Sequence, residues 1–199
     1  FEIPKEIHLL IKSKLLFEHG RFNKISFSDN YCYKGLYGIS IDSPENLKKY
    51  FKLPEHQKII NHMLKHPSNK NLLYIGSAKK AKSNISERLY DYQLGRLLIE
   101  KDPPEFRAVF YRKLGSVLGF VAAEKQKNFR FSFDNDLLIR NWILEHLRVL
   151  HFNLDDDVNK ILDYEKKLIR ELKPTFNYRH NPEKCKEVTE LHRLNSSSQ

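Results

Sequence analysis

"GLYGIS" at residues 35–40 and "NLLYIGSA" at residues 71–78 decide how this chain is read. Each is a short apolar run with a tyrosine beside a glycine, and tyrosine and isoleucine suit the pleated, half-buried surface of a strand. The two stretches predict strands over 33–41 and 72–77. The connection between them, 42–70, has different chemistry. "DSPENLKKYFK" opens on Ser43 and Pro44, a helix-start pattern, and "PEHQKIINHMLKH" after Pro54 predicts a short helix ending at Pro67. A helical insertion is therefore expected between the two tyrosine strands.

Working outward, "KEIHLLIKSKLLFEH" at 5–19 sets Ile7, Leu10, Ile11 and Leu15 at helical spacing between Pro4 and Gly20. It predicts a helix within an N-terminal helical extension, 1–32. Downstream, "SNISERLYDYQLGRLLIEK" predicts a helix over 84–100, with Ser83 or Ser86 as the cap. In "PPEFRAVFYRKLGSVLGFV" the first half would pass for a strand, yet Phe106, Val109, Phe110, Leu114, Val117 and Leu118 recur at three- and four-residue intervals, which favours a helix. "NFRFSF" at 128–133 reads as a short extended piece. Asp134 is the expected cap of "NDLLIRNWILEHL", with Leu138, Trp142 and Ile143 inward. "RVLHFNLD" alternates and predicts a third strand with one buried face. Asp155–Asp157 are expected to cap a helix over 157–172, where acids also suit the dipole, and Pro174 ends it. The tail, 195–199, is expected to be disordered. No repeat or linker interrupts the pattern, so residues 1–199 read as one α+β domain of about three strands with helices packed around them.

Composition narrows the function. The 199 residues include 13 Phe and 10 Tyr and are 40% apolar, enough for a real core. Thirty-five Lys and Arg against 25 Asp and Glu leave a net charge of +10, which points to a polyanionic partner, nucleic acid before membrane. Cys32 and Cys185 lie far apart and match no metal spacing, so a reduced, cytoplasmic setting is expected rather than a disulfide scaffold. No apolar run approaches the ~18 residues of a membrane span, and no signal peptide is recognised. The chain opens on Phe1, so its natural start is expected upstream.

Hydrolysis of a phosphodiester needs a carboxylate for a divalent ion, a cation for the charge developing on phosphorus, and a base for water. The chain supplies Glu165 on the helix after the third strand, Arg88 on the helix after the second, and Tyr37 and Tyr74 on the strands. Tyr92, four residues beyond Arg88, shares its helix face. Lys79, Lys80 and Lys82 follow the second tyrosine motif and are the expected DNA-phosphate contacts. Lys48, Lys49, Lys52, Lys166, Lys167 and Arg170 read as solvated faces or weaker backbone contacts. His56, His62 and His66 have near-helical spacing, but no carboxylate or cysteine accompanies them to make a metal site.

"GLY" at 35–37 and "YIG" at 74–76 resemble the paired motifs of the GIY-YIG nucleases. The resemblance extends, in the family's order, to Arg88 and to the run Glu165, Leu168, Ile169, Leu172, Lys173, Pro174 and Asn177. It covers residues 35–177 with interruptions. "RKLGSVLGF", "NFRFS" and "RNWILEHLRVLHF" further resemble the branch that holds type II restriction enzymes. The resemblance implies a small, mainly antiparallel three-stranded sheet flanked by helices. It also implies an endodeoxyribonuclease with one Mg²⁺ or Mn²⁺ per active site, leaving 5′-phosphate and 3′-hydroxyl ends. Tyr37 would take the proton from water, Tyr74 would position water or phosphate, Arg88 would hold the scissile phosphate and Glu165 the metal. Asn177 would fix the strand pair near the site. Tyr92 stands where the family commonly has histidine, which leaves the base open between Tyr37 and a route assisted by Tyr92. The insertion between the motifs is long where a tight hairpin is usual. The segment from Gly76 to Arg88 is also longer. A restriction enzyme would act on double-stranded DNA as a homodimer. The alternatives are a structure-specific or nicking nuclease of repair or mobility, an inactive basic DNA-binding module and, more weakly, a nuclease acting on RNA.

Overall fold

The structure is a computed structural model that describes residues 17–18, 21–22, 34–79, 84–85, 88, 108–154 and 157–196. Two short strands, β1 (Phe17–Glu18) and β2 (Arg21–Phe22), pair antiparallel. This corrects the expected helix over 5–19 at its C-terminal end. The helical spacing rests on Ile7, Leu10, Ile11 and Leu15, short of the ladder in which Phe17 is the partner of Phe22. The rest of that expected helix, and nearly all of the one over 84–100, lie outside the described residues.

The main sheet is built from β3 (Gly35–Ile41), β4 (Leu72–Ala78) and β5 (Leu147–Asn153), in the order β4-β3-β5 with both pairings antiparallel. β3 carries no charged residue and is buried along its whole length, as a central strand covered on both faces must be. Register slips between Ile39, opposite Tyr74, and Ser40, opposite Leu72. Leu73 is the extra residue, and the bulge turns Leu73 and Ile75 to opposite sides.

On one side, Tyr37, Ile39, Ile41 and Leu73 join the main core with α1 (Pro54–Leu64), α2 (Val109–Val117), α3 (Phe133–His146) and α5 (Lys186–Ser196). On the other, Leu36 and Ile75 pack against Ile161, Leu168, Ile169 and Leu172 of α4 (Val158–Leu172). On the third strand Leu147 and Val149 sit in the main core, which corrects the expectation that the buried face is the one of Leu150, Phe152 and Leu154; Leu154, just past the strand's end, packs on the α4 side.

The insertion folds as 3-10 turns at Pro44–Lys48 and Pro67–Asn69 around α1. His56 fastens it. Its Nδ1 accepts from the Leu53 N–H, so the opposite ring nitrogen donates to the carbonyl of Val117 on α2. Trp142 adds a second tie, its indole N–H donating to the carbonyl of Asn46 at 3.0 Å.

Three further expectations need correction. Ser132, not Asp134, caps α3, accepting from the Asn135 N–H, because the hydroxyl lies one residue before the first helical turn. The inward face of α3 is Ile139, Trp142, Ile143 and His146, whereas Leu138 is 40% exposed. Residues 129–132, within the expected extended piece, belong to no helix or strand, and Phe129 and Phe131 sit in the core. At the C-terminus α5 continues through Ser196, two residues into the expected tail. Asn195 explains why: buried, it accepts from the Ala122 N–H and donates to Ser116 Oγ and the carbonyl of Phe120. Asp157 caps α4, accepting from the Asn159 and Lys160 N–H groups.

Candidate active site

β4 is an edge strand, and an edge leaves backbone donors and acceptors unpaired. Here the chain leaving α4 covers it. Lys173 ends the helix in a left-handed conformation (φ 51°), and Pro174 cannot continue it. The next residues then run beside β4. Thr175 and Phe176 donate their N–H groups to the carbonyls of Leu72 and Leu73 at 3.4 and 2.8 Å. Asn177 completes the cover with its side chain: Oδ1 accepts from the Ile75 N–H and Nδ2 donates to the Ile75 carbonyl, both at 2.9 Å. This two-pronged clamp joins the end of α4 to the middle of the second tyrosine motif.

On β3, Tyr37 lies opposite Gly76, and the reason for that glycine is visible. A Cβ on residue 76 would fall 2.5 Å from both Cζ and Oη of Tyr37, so the tyrosine ring lies flat over the glycine backbone. Tyr37 is 2% exposed and its ring centroid lies 6.3 Å from that of Tyr74. Tyr74 is less enclosed and continues an aromatic row, 5.3 Å from Phe110, which lies 5.8 Å from Phe176.

Glu165, midway along α4, reaches the adjacent position of β4. Its Oε2 accepts from Ser77 Oγ at 2.6 Å and has Lys79 Nζ at 3.8 Å. Both partners use the same oxygen, and among the described residues none takes Oε1, which is left for a ligand. Tyr74, Lys79, Glu165 and Asn177 line one cleft of about 600 Å³ along the covered edge of β4. Phe110, Ile169 and Phe176 line it with apolar surface; Lys113, Lys166 and Arg179 add positive charge, and His180 lies among them.

The structure therefore brings Tyr74, Lys79, Glu165 and Asn177 to one cleft; Tyr37, enclosed with its ring beside that of Tyr74, is not among the residues lining it. Arg88 is half-buried, its N–H closing a turn onto the carbonyl of Asn84, and it is not among the described residues lining the cleft. Tyr92, Lys80 and Lys82 lie outside the described residues. Two participants escape sequence reading. Ser77 orients Glu165, and its place right after "YIG" was the available signal. Lys113 lies in the "RKLGSVLGF" stretch, but that resemblance assigned it no role. Of the three spaced histidines, His56 serves the backbone and His66 meets Glu183 at 3.0 Å; among the described residues no group of three or more His, Cys, Asp or Glu could hold a metal. A single carboxylate is nonetheless a fitting Mg²⁺ donor, because that ion keeps most of its waters and shares the substrate's phosphate oxygens.

Among the described residues, no helix is long and apolar enough to cross a membrane. A family model described as the GIY-YIG catalytic domain matches residues 35–195. No curated protein and no solved structure matches the chain.

Proposed function

The chain belongs to the GIY-YIG nuclease family, and from that premise we propose that it is a metal-dependent endodeoxyribonuclease, a site-specific enzyme of the type II restriction kind that leaves 5′-phosphate and 3′-hydroxyl ends. The observation that carries the reading is Glu165, oriented by Ser77 at 2.6 Å in the cleft that also holds Tyr74 and Asn177. Glu165 would hold one Mg²⁺ or Mn²⁺ through Oε1. Such an ion supplies a Lewis acid for the phosphate and a more acidic water.

The side chains do the rest. Asn177 and Ser77 hold β4 and Glu165 in register. Tyr74 positions water or the phosphate at the mouth. Tyr37 accepts the proton of the attacking water as its phenolate; a phenol loses its own proton near pH 10, so one of Lys79, Lys80 and Lys82 supplies the positive charge that makes the phenolate accessible. Arg88 neutralises the charge growing on the phosphate oxygens. In-line attack asks little covalent help of the protein, so positioning and charge stabilisation supply most of the barrier reduction. The insertion 42–70 and the segment 103–133 read the DNA sequence, because the catalytic cleft meets mainly phosphate. Cutting both strands of a palindrome brings two copies together on the site.

Supercoiled plasmid incubated with Mg²⁺, beside a Glu165→Ala variant and an EDTA control, tests this. Discrete linear fragments, lost in both controls, are the expected result. Nicked circles alone would move the assignment to a nicking enzyme. Intact plasmid with a salt-sensitive mobility shift would leave only a DNA-binding module.

A further inference from the structure

An ammonium group has three N–H donors and no acceptor, and inside a protein it is costly unless an anion or several acceptors meet it. Lys113, in the middle of α2, is 9% exposed. One donor is spent on the carbonyl of Phe176 at 2.9 Å. Among the described residues no carboxylate pairs with it, and two donors remain. Burial pushes its pKa down to about 8, so at neutral pH it is still mostly a cation. Its position is specific: with Val109 and Phe110, one turn earlier on the same helix, it lines the cleft that holds Tyr74, Glu165 and Asn177. An apolar helix face would fill this place at less cost, as Phe110 and Leu114 do beside it.

We propose that Lys113 is a substrate contact, its two unspent donors taking a phosphate oxygen of the nucleic-acid backbone in the cleft beside Glu165. The assignment rests on the nuclease reading and adds a cation to it that the motif residues do not include. Holding Phe176 and binding phosphate are compatible, since the carbonyl orients the ammonium while the remaining N–H groups point to the ligand.

Anisotropy of a labelled duplex in EDTA, where no cutting occurs, tests the contact across about 50 to about 200 mM KCl. Losing one phosphate contact lowers the slope of log K against log salt by about 0.9. Over that range the wild type should lose about 3-fold more affinity than Lys113→Met, with Lys113→Arg keeping the wild-type slope. A Lys113→Met protein that melts earlier but binds with an unchanged slope would overturn the assignment and reduce the residue to an anchor for Phe176. The wild type alone gives a second test if the variant does not fold. In protein carrying ¹³C at lysine Cε, the Lys113 resonance should move on adding the duplex, and an unmoved resonance with bound DNA would overturn the contact. A wild type that neither binds nor cuts DNA would sink the nuclease reading and this assignment together, whereas cutting with an unchanged variant slope would sink the assignment alone.

Discussion

Gly76→Ala is the sharpest test of how the two tyrosine motifs are fitted together. The added methyl would lie 2.5 Å from Tyr37 Cζ and Oη, where ordinary contact begins at 3.4 Å, so something must retreat by about 0.9 Å. Neither partner retreats easily: residue 76 sits in a ladder and Tyr37 is fully enclosed. Overpacking of this kind costs about 1–3 kcal/mol. At about 2–4 °C per kcal/mol for a chain of this size, the melting midpoint should fall by about 2–12 °C. The catalytic loss should be larger than the stability loss implies, because a misplacement near 1 Å at a reacting group costs about 100-fold in rate. Calorimetry and single-turnover cleavage on the same preparations separate the two effects. Combining Tyr37→Val with Gly76→Ala should cost less stability than the sum of the two single substitutions, since the pair is in contact and the smaller side chain makes room for the methyl, while cleavage stays lost. A Gly76→Ala protein with wild-type melting and wild-type cleavage would refute the packing of Tyr37 over Gly76.

Asn177→Ala removes both prongs from Ile75 and leaves a buried N–H and C=O without their partner, at about 1–3 kcal/mol each. Amide exchange at Ile75 should accelerate well beyond exchange in β3; equal protection before and after would contradict the clamp. His192 gives a pH signature. Burial, with Lys113 and Arg112 nearby, drops its pKa to about 4. The unfolded chain therefore takes up a proton near pH 6.5 that the folded protein refuses until about pH 4. Stability should be fully present above pH 6.5 and fall by up to about 3 kcal/mol as the pH drops to 4. Denaturant midpoints for His192→Leu should be flatter over that window, and an identical decline in both proteins would remove His192 as the cause.

Local pattern carried most of the element order. Alternation and proline placement marked β3, α1, β4 and α4 to within a residue or two, because these segments bury one consistent set of side chains whose period is written locally. The same logic failed where tertiary pairing set the outcome. Phe17 fell within the expected helix over 5–19 but is the partner of Phe22 in a ladder. Leu138 fitted an inward stripe but faces solvent, since the direction of the core fixes the stripe's phase and the sequence gives only its spacing. The tail looked too polar to order, yet Asn195 satisfies three groups around the end of α2.

The sequence by itself determined the strand–insertion–strand order, the family motifs and the presence of Tyr37, Tyr74, Arg88, Glu165 and Asn177, because spacing and residue type are local properties. Only the tertiary structure decided that Ser77 aims Glu165, that Asn177 spans 102 residues to clamp Ile75, and that Lys113 is enclosed beside the same cleft. Burial and hydrogen-bond partnership depend on which distant elements share a surface, and no window along the chain contains both halves of such a contact.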